Sequence, residues 1–193
     1  MTRRSNDDHS PRILGGHARG RALTAPAGLA TRPLRALVRR SLFDMLGPRI
    51  EGSTFLDLYA GAGTVGFEAY SRGATRVVLV ERDRAALAAL RRSVADLDAE
   101  PVVTIEANPV EEFVATAPAQ AFDVVYLGPP YPLFLSADAG LFERVLPRVE
   151  RLLNTGGMVV VESPPGFSPS LEGLSAERFR EYGETVLHFL GRA

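Results

Sequence analysis

The sequence predicts a doubly wound α/β fold on a mostly parallel sheet with an antiparallel C-terminal strand. Three features predict it. From residue 54 onward, short apolar, β-branched runs alternate with helical stretches. A glycine-rich turn, Gly61 to Gly66, follows the first of these runs and opens a helix. The chain closes on two runs joined by a tight turn at Tyr182-Gly183, the pattern of an antiparallel pair.

The elements follow in chain order. Residues 1–10 are polar and read as a disordered tail, leaving 11–193 as a single domain. Within it, "RILGGHARGRALTAP" has two short apolar pieces around Gly15-Gly16 and Gly20, so 11–30 reads as an N-terminal β-hairpin appendage. "TRPLRALVRRSLFDMLGP" spaces Leu34, Leu37, Val38, Leu42, Phe43 and Leu46 as one helical face, with Pro33 near its start and Gly47-Pro48 past its end. Arg35, Arg39 and Arg40 fall on the opposite face. Strands are expected at "TFLDLY", "RVVLVE", "PVVTIE", "DVVYL" and "MVVVES". Helices are expected from Thr64 to Ser71, at "RAALAALRRSVADL", at "PVEEFVATA" and within 138–153.

With 193 residues, 46% of them hydrophobic, the chain can build one substantial core. It has no cysteine, which excludes disulfides and thiolate metal sites. His9, His17 and His188 lack metal-ligand spacing. No apolar run reaches membrane-spanning length and no signal-like segment opens the chain, so a cytoplasmic protein without a membrane partner is expected. The net charge of −1 hides an asymmetry. Residues 1–50 carry ten arginines against three aspartates, a surplus of seven, and the remainder carries −8. A basic front on an acidic body points to a polyanion partner, with Arg12, Arg19, Arg21, Arg32 and Arg35 as the candidate contacts.

"GAGTVG" fits a dinucleotide loop, and Glu81 follows Gly61 by twenty residues at the end of the next strand, where an acid would hold ribose hydroxyls. An NAD-linked oxidoreductase is therefore one reading. Asp57, four residues before Gly61, favours another. A carboxylate there would repel a pyrophosphate, whereas the sulfonium and ammonium groups of S-adenosylmethionine would be attracted to it. Asp57, Tyr59, Gly61 and Gly63 then form the candidate cofactor loop. Glu81 would take the ribose, and Arg82 and Asp83 would border the adenine, with Glu106, Ala107 or Asn108 at its edge. Asn108 could instead cap the helix that starts at Pro109.

The fourth strand ends in Gly128-Pro129-Pro130-Tyr131. This turn resembles the amine-methylating motif of methyltransferases, an acid or amide followed by Pro-Pro-Tyr or Pro-Pro-Phe. Together with "RILGGHARGRAL", "LDLYAGAGTVGFEAYSRGA", "VVLVERD" and "YGETVLHFL", it makes residues 12 to about 190 similar to the bacterial 16S ribosomal RNA guanine-N2 methyltransferases of the RsmD type. The resemblance implies a Rossmann-like methyltransferase sheet of seven strands. It implies methyl transfer from S-adenosylmethionine to the exocyclic amine of a guanine in small-subunit rRNA, within an assembled particle. A monomer is expected.

Two positions depart from that family. Arg40 stands where a glutamate usually follows the arginine, and Gly128 stands where an aspartate is usual. In the family's chemistry, the acid and the carbonyl of the first proline hold the amine's hydrogens while the aromatic stacks on the flipped base. Gly128 removes the acid, and Pro129 and Tyr131 remain. Deleting one such preorganised group costs roughly 10²–10³ in rate. The chain then reads as a slower enzyme or one acting on another amine. Alternatively it is an inactive relative that binds RNA or assists ribosome assembly.

Overall fold

The computed structural model describes residues 10–26, 36–135 and 144–192. Three expected features lie outside these: the tail at 1–9, the stretch 27–35 with Arg32, Pro33, Leu34 and Arg35, and the first half of the helix within 138–153.

The elements are α1 (Ala36–Leu46), β1 (Thr54–Leu58), α2 (Thr64–Ser71), β2 (Arg76–Val80), α3 (Arg84–Asp96), β3 (Val103–Glu106) and α4 (Val110–Thr116). They continue with β4 (Phe122–Leu127), α5 (Pro132–Leu135), α6 (Leu146–Val149), β5 (Leu153–Ser163), β6 (Leu174–Tyr182) and β7 (Thr185–Arg192). The seven strands form one sheet in the order β3-β2-β1-β4-β5-β7-β6. β1 to β5 pair in parallel, and β7 runs antiparallel to both β5 and β6, so β7 is the reversed strand. The fold class is the expected one. β5 starts five residues earlier than its apolar run, because Leu153 already pairs with Phe122 before an irregularity realigns Met158 with Val124.

The central strands β1, β2, β4 and β5 are largely buried on both sides because helices cover both faces there. Phe55, Val77, Leu79, Val124 and Val160 pack with Leu42, Phe43, Phe67 and Leu90 from α1, α2 and α3. Leu56, Leu58, Val78, Val125 and Val159 pack with Val110, Val114, Leu146 and Val149 from α4 and α6.

The N-terminal hairpin is reduced to one antiparallel bridge, Arg12 with Ala22, closed by Ile13–Arg21 and Gly20–Ile13 backbone bonds. It is held firmly nonetheless. Ile13 and Leu23 are buried in the core. The Ser71 hydroxyl at the end of α2 donates to the Gly15 carbonyl at 2.6 Å and accepts from the Ala18 amide at 2.9 Å. Ser93 of α3 accepts from the Thr24 amide at 2.9 Å.

One face of α1 differs from expectation. Leu37, expected in the core, is 70% exposed, and Arg39, expected outside, is 3% exposed. The physical reason is Glu68. Its carboxylate is fully buried in α2, where it accepts from the Leu14 amide at 2.8 Å and from Arg72 Nε at 2.9 Å. Arg39 Nε lies 3.6 Å from the same carboxylate, and its guanidinium also donates to the Arg12 carbonyl. Burying Arg39 thus neutralises Glu68 and rotates Leu37 outward. Burial lowers the Arg39 pKa, and the charge of Glu68 opposes that shift.

Glu68→Gln would leave Arg39 buried without its counter-charge. Breaking such a pair costs about 3–5 kcal/mol. Chemical denaturation is expected to show a loss of that order, and an unchanged midpoint would contradict the role assigned to Glu68.

Candidate active site

Register brings the expected site residues together. Leu58 pairs with Val80 and Leu127, and Val80 pairs with Glu106, so β1, β2, β3 and β4 end at one level. The loops that follow them, from Tyr59, Glu81, Ala107 and Gly128, therefore lie side by side. The strand order reverses between β1 and β4, the position where open α/β sheets take ligands. The Gly128 amide donates to the Leu58 carbonyl at 3.3 Å, which ties the Pro-Pro-Tyr turn to the glycine loop.

The glycine loop is tight. Tyr59, Gly61 and Gly63 have φ of 64°, 55° and 72°. Gly63 is the cap residue of α2 and has no side chain to satisfy the helix amides. Asp57 supplies the acceptor instead: its buried Oδ2 takes the Gly66 amide at 2.9 Å. Gly66 permits this approach, since a Cβ there would lie 2.1 Å from the Leu79 side chain. Burial pushes the Asp57 carboxyl up to about 7, against the pull of the Gly66 amide, and the charges of Glu81 and Glu162 raise it further.

Glu81 stitches two loops together. Its Oε2 accepts from the Gly61 amide at 2.8 Å, and its Oε1 accepts from the Arg82 and Asp83 amides at 2.8 and 2.9 Å. A carboxylate has about four acceptor directions, so one direction on Oε2 stays open. Taking two ribose hydroxyls at once requires an amide to be released. Asp83 caps α3 by accepting from the Ala86 amide at 2.8 Å, and Arg82 is exposed beside it. Ala107 and Asn108 are exposed, and the cap position of α4 belongs to Pro109 rather than to Asn108.

In the fourth-strand turn, Pro129 is buried and Tyr131 half-buried. The Tyr131 hydroxyl bonds to the Glu184 carbonyl at 2.9 Å and the Thr185 hydroxyl at 2.7 Å, so the turn between β6 and β7 fixes the ring. Asp123 cannot replace the missing acid. At the far end of β4, it accepts from the Thr54 amide and hydroxyl and from Asn154, each at 2.8 Å. Burial raises its pKa, and these bonds outweigh that, leaving it below the usual carboxylate range.

Two residues at this edge did not figure among the expected site residues. Tyr126 is 3% exposed, and its hydroxyl donates to Glu162 of β5. Tyr126 pairs with Asp57 across β1 and β4, so Asp57, Tyr126 and Glu162 form a row of acid, phenol and acid under the turn. The available signal was a lone polar aromatic in an aliphatic strand.

The hairpin arginines lie elsewhere. Arg12, Arg19 and Arg21 are exposed. The hairpin is bound to Ser71, and Arg21 donates to the Asp96 carbonyl. Ser71 and Asp96 are the last residues of α2 and α3. Those helices run back from the site edge, so these arginines sit at the opposite end of the sheet.

Comparisons with known proteins agree with this geometry. Over 120 residues the chain is 37% identical to ribosomal RNA small subunit methyltransferase D of Escherichia coli, covering 62% of this chain and 60% of that protein. It is 35% identical over 122 residues to YlbH of Bacillus subtilis, a candidate rRNA methyltransferase, covering 62% of this chain and 66% of YlbH. The chain thus spans less than two thirds of the length of these two curated relatives. Among solved structures, the candidate methyltransferase yhhF of Escherichia coli superposes with a TM-score of 0.80 at 30% identity, covering 95% of this chain and 98% of that one. The family profile described as conserved hypothetical protein 95 matches residues 11–191. The chain belongs to that family, the RsmD-type methyltransferases that its opening and closing motifs resemble.

Proposed function

We propose that the protein transfers a methyl group from S-adenosylmethionine to the N2 amine of a guanine in small-subunit ribosomal RNA. The observation that carries this reading is the junction of the Asp57 glycine loop with the Pro-Pro-Tyr turn at one sheet edge, joined by the Gly128–Leu58 bond. The relatives' names supply the substrate class.

The donor set fits a cationic cofactor. Beyond the effect of burial, Glu81 and Glu162 lie close enough to Asp57 for their charges to raise its pKa. Such an acidic edge repels a pyrophosphate and attracts a sulfonium and an ammonium. Bound there, S-adenosylmethionine supplies the electrophilic methyl group. Asp57 faces its cationic end, Glu81 accepts a ribose hydroxyl, and Ala107 and Asn108 border the adenine. The Pro129 carbonyl orients the amine, and Tyr131 stacks on the base, a contact worth roughly 1–3 kcal/mol. Arg12, Arg19 and Arg21 hold phosphates of the particle away from the target nucleotide, which positions without reading sequence. Among the described residues no helix is long and apolar enough to cross a membrane.

The reading is tested with labelled donor and small subunits lacking their N2-methylguanine. Label in N2-methylguanine supports it. Label on another base or none, with the donor bound, overturns the substrate assignment.

Binding titrations test the donor. S-adenosylmethionine is expected to bind and NAD is not. Glu81→Ala removes a charge-assisted acceptor worth roughly 1.5–3 kcal/mol, so affinity is expected to fall about tenfold to a hundredfold. The pH dependence has a definite sign. Below about pH 7 the free protein holds Asp57 protonated, and a cationic ligand favours the ionised form. Donor affinity is therefore expected to rise between pH 5 and 7 and to flatten above. A pH-independent affinity would place Asp57 away from the donor's charge.

A further inference from the structure

Gly128 has an ordinary backbone conformation, so φ does not explain why a glycine stands there. Its neighbour does. A Cβ built on Gly128 would lie 2.8 Å from Tyr126 Cε1 and 3.2 Å from the Tyr126 hydroxyl oxygen. An aspartate's own carboxylate oxygens lie roughly 2.4 Å from its Cβ, by standard bond lengths. The phenol oxygen thus borders the space that a side chain at position 128 would enter. We propose that Tyr126, held by Glu162, is the catalytic residue that replaces the missing acid, and that Gly128 is the opening through which the guanine amine reaches it. This inference rests on the methyltransferase reading above.

The chemistry is consistent with the bonding. The Tyr126 hydroxyl gives its hydrogen to Glu162, which leaves its oxygen lone pairs to accept from the amine. As the amine nitrogen takes the methyl group, the carbon–sulfur bonding pair stays with the donor's sulfur. One of the two amine protons passes to the Tyr126 oxygen while the phenol's proton passes to Glu162. The nitrogen keeps the other proton, and the Glu162 carboxyl later releases its proton to solvent. Burial, and then the charge of Glu162, raise the Tyr126 pKa well above its ordinary value, so the phenol relays a proton rather than resting as a phenolate. Burial also raises the Glu162 pKa against the pull of the Tyr126 hydrogen bond, which makes it a better proton acceptor than an exposed carboxylate.

Gly128→Asp alone does not restore a family-like site, because its side chain would meet the Tyr126 ring. Freed from Glu162 by loss of the hydroxyl, the ring can move and make room.

The test compares wild type, Tyr126→Phe, Gly128→Asp and the double variant. Three readouts are taken: methyl transfer to undermethylated small subunits, donor affinity and melting temperature. Tyr126→Phe is expected to lose about a hundredfold in kcat, with donor affinity within about twofold. Gly128→Asp is expected to lose both activity and melting temperature. The double variant is expected to regain melting temperature and return to within about tenfold of wild-type activity. Full activity in Tyr126→Phe would overturn the inference and leave the reaction assignment intact. An inactive wild type beside an active double variant would show that the natural chain has lost catalysis, which also overturns it. No transfer by any of the four, with donor bound, would remove the methyltransferase reading and this inference together.

Discussion

Helix α2 begins at Gly63, a cap residue without a side chain, and the missing acceptor comes from Asp57 at the end of β1. This one hydrogen bond sets much of the site. It puts a carboxylate at the positive end of a helix, a favourable position that also satisfies an otherwise unpaired amide. It needs a glycine at 66, because α2 must lie almost against Leu79 for the Gly66 amide to reach Asp57. It fixes the height of the glycine loop, which Glu81 then joins to the loop after β2. The result is an edge rich in carboxylates, suited to a cation and hostile to a phosphate.

A second buried carboxylate, Glu68, lies within α2 itself. Glu68 binds the hairpin through Leu14, α1 through Arg39, and its own helix through Arg72. The basic front of the chain is therefore part of the core packing as well as a surface. Removing it would take Leu14 and Arg39 away from Glu68, so substitution of single exposed arginines probes the basic surface with less disturbance of the core than truncation does.

Much of this was legible in the sequence, for physical reasons. Strands covered on both faces read as continuous apolar runs, so β1, β2 and β4 stood out, and Gly61 to Gly66 marked the turn into α2. The order Asp57, Gly61, Glu81, Pro129 placed the loops that the parallel register then aligned. What escaped depended on partners far away in the chain. Arg39 looked solvent-facing because periodicity cannot show a counter-charge 29 residues on, at Glu68. The run "DVVYL" does not show which face Tyr126 takes, and its partner Glu162 lies 36 residues later. Gly128 read as a simple loss for the same reason: the group beside it was invisible until β4 and β5 were paired.

Everything at this edge turns on an Asp57 carboxyl that is buried and held against the Gly66 amide. A carbon-13 carboxyl titration by NMR, on free and donor-bound protein, reads this directly. In the free protein Asp57 is expected to titrate near 7. With S-adenosylmethionine bound, its pKa is expected to fall by at least about one unit, since a nearby positive charge favours the ionised form. An ordinary aspartate pKa in the free protein, or one that donor binding leaves unchanged, would contradict the account.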